Sequence, residues 1–158
     1  MSVTTATIFL FLLAAHFCGD WLGYSPEASG SKRNKAPKVR LQAIGWHCLK
    51  HAGWSFLWLV WLGDLRLMFY AGLYVFIIHF CIDFIRIRIE EGLFDPAEFR
   101  ILKRREVFNY LIGSRGCPID TFMDKYLRRW ALLNIADLTA HVASLALFAG
   151  SHTLLWGF

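Results

Sequence analysis

The sequence contains four long apolar stretches, and their length restricts the folds open to the chain. They lie at residues 4–24, 41–63, 67–87 and 130–157, and 56% of the 158 residues are hydrophobic, with a mean hydropathy of +0.42. A helix needs about 20 apolar residues to cross a bilayer, and soluble domains rarely reach this hydrophobicity. We therefore predict an all-α fold, a polytopic membrane four-helix bundle built as one integral membrane domain over residues 1–158.

Basic residues are concentrated in two of the three connections. Residues 25–40 contain five lysines and arginines, and residues 88–129 contain nine, whereas the turn between the second and third stretches has only Arg66. Cytoplasmic loops are enriched in Lys and Arg. This distribution predicts that both basic loops are cytoplasmic and that both termini lie outside.

The long connection also carries a helix-start signature. Asp95 is placed as an N-cap, Pro96 stands at the first helical position, Glu98 completes a capping box, and Gly113 is placed to end the helix. We predict an amphipathic cytoplasmic helix that lies on the inner leaflet. A solvated helix that makes no lipid contact is the alternative.

Each apolar stretch contains two metal-competent residues four positions apart. The pairs are His16 and Asp20, His47 and His51, His79 and Asp83, and Asp137 and His141. This spacing puts both side chains of a pair on one helix face, one turn apart. In the predicted topology all four pairs fall at one depth, roughly 6–16 Å inside the cytoplasmic boundary at about 1.5 Å per residue.

The order of residues within the pairs predicts two levels. Nearer the cytoplasm lie three aspartates and one histidine: Asp20, His47, Asp83 and Asp137. One turn deeper lie four histidines: His16, His51, His79 and His141. The order changes from His–Asp to Asp–His between the third and fourth stretches, as it must if the aspartates stay on one level.

Buried aspartates are costly unless something compensates their charge. A bound cation would do so, since a metal draws carboxylates and imidazoles into their ligating forms. We predict a dinuclear site for divalent metal ions that uses all eight residues as ligands, with zinc favoured and manganese or iron as alternatives. A polar network that serves structure or proton transfer is the other interpretation.

The four motifs resemble those of a family of small bacterial and phage membrane proteins, the domain of unknown function 3307 family. The resemblance rests on "AHFCGDW", "WHCLKH", "HFCIDFIR" and "DLTAH", in that order, and does not include the long third connection. Family members usually have a glutamine after the first motif, where this chain reads "WLGYS". The pattern is also similar in style to LexA-regulated membrane-bound metal-dependent hydrolases. The family resemblance implies a bacterial inner-membrane location and no particular reaction, whereas the similarity to the hydrolases favours hydrolysis.

We therefore expect a metal-dependent hydrolase whose centre opens to the cytoplasm. The residues assigned to the more open ion and to catalysis are Asp20, Asp83 and Asp137, and those assigned to substrate binding are Lys50, Arg86 and Asn134. The basic rim suits a phosphoester or a lipid-linked phosphate at the inner leaflet. The expected partners are the bilayer and an anionic lipid; the sequence carries no specific nucleic-acid signal and is compatible with an oligomer.

Two other functions are compatible with the same residues. In a metal-ion or proton transporter the two levels would be successive binding positions, but the outer halves of the stretches, such as "IFLFLL" and "SLALFAG", are almost without polar groups. In a structural membrane protein the metal would staple the helices, and the basic loop would recruit partners.

Overall fold

The computed structural model describes residues 4–22, 25–95, 97–99, 101–113, 116 and 119–156. Six α-helices account for most of this range: α1 (Thr5–Leu22), α2 (Pro26–Ser31), α3 (Pro37–Leu59), α4 (Leu65–Leu93), α5 (Arg104–Leu111) and α6 (Asp120–Trp156). A 3₁₀ turn, Val60–Leu62, follows α3. The described residues contain no strand, so the predicted all-α class is confirmed.

The four long helices pack side by side around a common interior. Helix α3 contacts both α1 and α4, and α6 also contacts both α1 and α4. The turn between α3 and α4 is tight because Gly63 adopts a left-handed φ of 69°, which glycine tolerates readily. The next residue, Asp64, then caps α4 by accepting hydrogen bonds from the backbone N–H groups of Arg66 and Leu67.

Three of the four predicted spans correspond to helices that are long and apolar enough to cross a membrane. They are Thr5–Leu22, Leu65–Leu93 and the part of α6 from Asp120 to Leu154. Helix α3 is not among these three, although it has 23 residues. Its sequence includes Lys38, Arg40 and Lys50 as well as two histidines, and these polar residues lower its hydropathy.

The long helices extend beyond two of the predicted stretches. Helix α4 continues to Leu93 rather than 87, and α6 begins at Asp120 rather than 130. The reason is an apolar core between the end of α4 and the start of α6. Its buried residues are Phe94, Ile119, Phe122, Met123, Tyr126 and Leu133. This core stabilises helical turns that hydropathy alone assigned to a loop.

The predicted helix of the long connection exists, but it starts later than expected. The backbone N–H of Phe99 donates to the Asp95 carbonyl, making one isolated turn, whereas the backbone N–H of Lys103 donates to the Glu106 carboxylate at the start of α5. Gly113, with a φ of 82°, follows the helix as predicted. Pro96 lies outside the described residues.

One half of the bundle has a largely apolar interior, which we call the distal core; the buried Ser55 beside it donates its hydroxyl hydrogen bond to the His51 carbonyl of its own helix. Its buried residues come from all four long helices: Ile8, Leu12, Leu59, Leu67, Met68, Ala71, Val75, Leu145 and Ala149. Along each helix these residues lie on one side of the His/Asp pair. The polar site is therefore bounded on that side by close-packed apolar side chains.

Candidate metal centre

The structure brings together all eight residues that the sequence predicts as metal ligands. They form four groups in which one ligand atom from each residue lies within 4.8 Å of the others: His16, His51 and His79; Asp20, His47 and His51; His47, His79 and Asp83; Asp83, Asp137 and His141. Each group could hold a metal ion. One group consists of three histidines, and each of the other three combines histidine with aspartate, so none of the four is a site of carboxylates alone.

The deeper level is a compact cluster of four buried imidazoles, one from each long helix. The His51 and His79 ring centroids are 4.0 Å apart, and those of His79 and His141 are 4.3 Å apart. His16 lies 4.8 Å from both His51 and His141. The His47 ring, which was assigned to the other level, lies as close to this cluster, 4.5 Å from His51 and 5.0 Å from His79.

Asp20 lies between α1 and α3 and faces three imidazoles. Its Oδ2 is 3.2 Å from His16 Nε2, and its Oδ1 is 3.3 Å from His51 Nε2. The Nε2 atom of His47 is 3.8 Å from Oδ1. Asp20 is also the most exposed of the three aspartates, with 48% of its side chain accessible, which puts it nearest to incoming solvent.

Asp83 has a partner that sequence reasoning missed. Lys32, which follows α2, donates from Nζ to Asp83 Oδ2 over 2.6 Å. The other oxygen, Oδ1, lies 3.9 Å from His79 Nε2. Oδ2 is also 3.8 Å from His47 Nε2, so both carboxylate oxygens lie near imidazoles and one of them is held by an ammonium group.

Asp137 repeats this arrangement with Arg86. Arg86 Nη1 donates to Asp137 Oδ2 over 2.8 Å, and Nη2 donates to Asn134 Oδ1 over 2.9 Å. The buried Oδ1 of Asp137 has no hydrogen-bond partner. Both basic side chains thus orient a carboxylate while leaving one oxygen directed elsewhere, which is how outer-shell groups support metal ligands.

His141 is oriented by its own helix. Its Nδ1 lies 2.9 Å from the carbonyl oxygen of Asp137, which can only accept, so Nδ1 carries the proton. The Nε2 atom is left as an acceptor, is buried, and has no hydrogen-bond partner. A histidine that donates through one ring nitrogen and presents the other is the usual form of a metal ligand. Unpaired buried polar atoms are costly, and a cation would satisfy this one.

Gly19 is a further determinant of the site that the sequence analysis did not identify. A Cβ atom at this position would lie 2.6 Å from both Cε1 and Nδ1 of His51. Only glycine lets α1 approach the imidazole this closely. The signal in the sequence was the glycine between the two residues of the first motif, "HFCGDW".

Glu90 and Arg33 form a second support, also missed. Glu90 is buried near the end of α4 and receives two hydrogen bonds from Arg33, of 2.7 and 2.9 Å. Its Oε1 is also 3.4 Å from Arg86 Nε. Arg33 and Lys32 together attach the segment after α2 to α4.

A cavity of about 630 Å³ opens next to the cluster. Of the residues predicted to bind substrate, Arg86 and Asn134 line it. The structure does not bring Lys50 to the site, because Lys50 is rotated away from the His47/His51 face of α3 by the helical period. Lys50 is exposed and lines a separate shallow groove with Trp54.

Comparison with known proteins bears out the resemblance suggested by the motifs. Searches of curated proteins and of solved structures found no match. The family model of a protein of unknown function, DUF3307, matches residues 8–155, a range that includes the long connection as well as the four motifs. The chain therefore belongs to the DUF3307 family of proteins of unknown function.

Proposed function

We propose that this protein is a membrane-embedded metal-dependent hydrolase with a dinuclear His/Asp centre that opens to the cytoplasm. The observation that carries the proposal is the convergence of five of the six histidines with three aspartates, from four separate helices, at one end of a cavity. Purely structural polar networks pair their donors and acceptors, whereas in this cluster the buried His141 Nε2 and Asp137 Oδ1 have no hydrogen-bond partner among the described residues.

The eight side chains would hold the ions, with zinc favoured and manganese or iron as alternatives. A bound divalent ion would make a water acidic enough to lose a proton near neutral pH, so that it could attack a phosphoester. Asp20, the most exposed of the aspartates, is placed to orient that water. Arg86 and Asn134, which line the cavity, are placed to bind an anionic substrate.

The membrane arrangement follows from the packing of α3. Helices α1, α4 and α6 are apolar enough to cross a bilayer, and α3 packs against both α1 and α4. We propose that α3 crosses with them, which gives a bundle of four spans. The basic connections would then face the cytoplasm of a bacterial inner membrane, with both termini outside.

Transport of metal ions or protons is the main rival, and the distal core argues against it. On the side of the cluster where the distal core lies, the buried residues described are apolar apart from Ser55, whose hydroxyl is already bonded to the His51 carbonyl. A transported ion would need polar groups or water along this path. A metal that only holds the helices together needs no route for a substrate, whereas a hydrolase does. Residues of this cluster line an open cavity, which favours the hydrolase.

Elemental analysis of detergent-purified protein, coupled to an assay of phosphoester hydrolysis, tests the proposal. The variant is His141→Ala, and the matched control is His152→Ala, which removes a histidine of the same helix that packs against Phe148 outside the cluster. We expect bound metal and hydrolysis of bis-p-nitrophenyl phosphate in the wild type and the control, and loss of both in His141→Ala. Metal without hydrolysis would favour the staple, and metal uptake by liposomes would favour the transporter.

A further inference from the structure

The cavity beside the cluster is bordered by apolar side chains that also face outward. Phe108 and Leu111 of α5 and Leu138 of α6 all line it, and they are 62%, 63% and 57% exposed. Leu138 belongs to a membrane-compatible part of α6 and lies one turn from Asn134. The cavity is therefore lined in part by apolar side chains of α5 and α6 that are also accessible from outside the protein.

The same cavity also contains a group of charged side chains, which we call its polar part. Three are basic and four are acidic: Lys32, Arg33, Arg86, Asp20, Asp83, Glu90 and Asp137. Each basic side chain is paired with a carboxylate, so these three side chains add little net positive charge while the cluster is without metal. Two divalent cations among the carboxylates would make this part of the cavity strongly positive.

We propose that the cavity is a lateral binding site for a membrane lipid that carries a phosphate group. The phosphate would lie in the polar part of the cavity beside the metal ligands, and the acyl chains would lie against Phe108, Leu111 and Leu138. The inference names the substrate class of the proposed hydrolase, and it rests on that function for the reaction and for the positive charge of the two cations. In that reaction the water oxygen bonds to phosphorus and the bond from phosphorus to the lipid oxygen breaks. The lipid oxygen takes up a proton released by the water.

The shape of the site favours a lipid over a free phosphate. A cavity of about 630 Å³ is in the usual range for a drug-sized ligand, about 300–1,000 Å³. A free phosphate would leave the apolar side of the cavity without a ligand. An amphiphile matches both parts of the cavity. Its charged group can lie among the charged side chains while its chains contact the apolar ones.

Equilibrium binding of three probes to zinc-loaded protein in a neutral maltoside detergent tests this. Dioctanoyl phosphatidic acid carries phosphate and chains, dioctanoylglycerol carries the chains alone, and inorganic phosphate carries the charge alone. Native mass spectrometry measures the two lipids, and equilibrium dialysis measures labelled phosphate. We expect phosphatidic acid to bind at least about tenfold more tightly than either of the others, since the two kinds of contact act together. Equal affinities for phosphatidic acid and inorganic phosphate would show that free phosphate is the ligand.

A pair of neighbouring substitutions locates the chains. Leu111→Asn changes a residue that lines the cavity, whereas Ile112→Asn changes an equally exposed residue, also 63%, that does not belong to the lining. We expect Leu111→Asn to weaken phosphatidic acid binding about fivefold through lost apolar contact and to leave phosphate binding unchanged. Ile112→Asn should change neither. An equal effect of the two substitutions, or none, would overturn the proposed lateral site.

Zinc content is measured in the same samples, so the two proposals fail separately. If zinc is bound and phosphatidic acid is not, the lipid site is wrong and the metal centre stands. If phosphatidic acid is bound with the expected response to Leu111→Asn but zinc is not, the lipid site stands and the proposed hydrolase is wrong.

Discussion

Gly19→Ala is the most specific perturbation of the site that the structure offers. The added Cβ would lie 2.6 Å from Cε1 and Nδ1 of His51 and 2.9 Å from its Cγ. Carbon atoms in contact prefer about 3.5–4.0 Å, so the ring would have to move by about 1 Å. The ring is part of a fully buried side chain, and α3 is packed against both α1 and α4. Little space is available for that movement.

Such a displacement should affect metal binding more than folding. Ligands must be held within about 0.5 Å of their productive positions, and disturbing the groups that orient them typically costs about 10- to 100-fold in metal affinity. The packing strain itself should destabilise the fold by about 1–3 kcal/mol. We therefore expect Gly19→Ala to remain helical but to bind zinc at least about tenfold more weakly.

Competition with a fluorescent zinc chelator measures the affinity, and circular dichroism checks the helical content. Gly53→Ala, on the same helix as His51, is the control because a Cβ there would meet nothing within 4 Å. It should bind zinc normally. Wild-type zinc affinity in Gly19→Ala would refute the reasoning, since His51 would then not be positioned by this close approach or would not bind the ion.

Two further predictions concern charge. Lys32→Met should destabilise the metal-free protein by about 3 kcal/mol, because it leaves the buried Asp83 carboxylate without its cation. Zinc should restore most of this stability, as measured by thermal unfolding with and without the ion. An equal loss of stability in both states would contradict the prediction. Progressive acidification should release zinc, because protons compete with the ion for the ligating imidazoles and carboxylates. Equilibrium dialysis over a series of pH values measures the release, and zinc binding that does not change with pH would contradict ligation by these groups.

The convergence of the eight ligands was predictable because it depends on local geometry. The (i, i+4) spacing fixes which residues share a helix face, and the alternation of basic and non-basic connections fixes the direction of each helix. These two regularities suffice to place His16 of α1 near His141 of α6, across 125 residues of sequence. The same reasoning identified Arg86 and Asn134 as neighbours of the site.

The contributions of Lys32, Glu90 and Gly19 could not be predicted in this way. Lys32 reaches Asp83 only because residues 25–36 fold back over the end of α4, and five basic residues in that connection were equivalent by sequence. Glu90 lay in the predicted loop, since hydropathy ended the third span at residue 87. The importance of Gly19 depends on the distance between α1 and α3, which periodicity does not give.

X-ray absorption spectroscopy at the zinc K edge, on protein loaded with zinc, tests the central claim most directly. The account predicts a first shell of nitrogen and oxygen at about 2.0–2.1 Å with the outer-shell features of imidazole, and their loss in a variant that lacks His79 and His141. A shell of sulfur at about 2.3 Å, or a spectrum unchanged by removing those histidines, would contradict it.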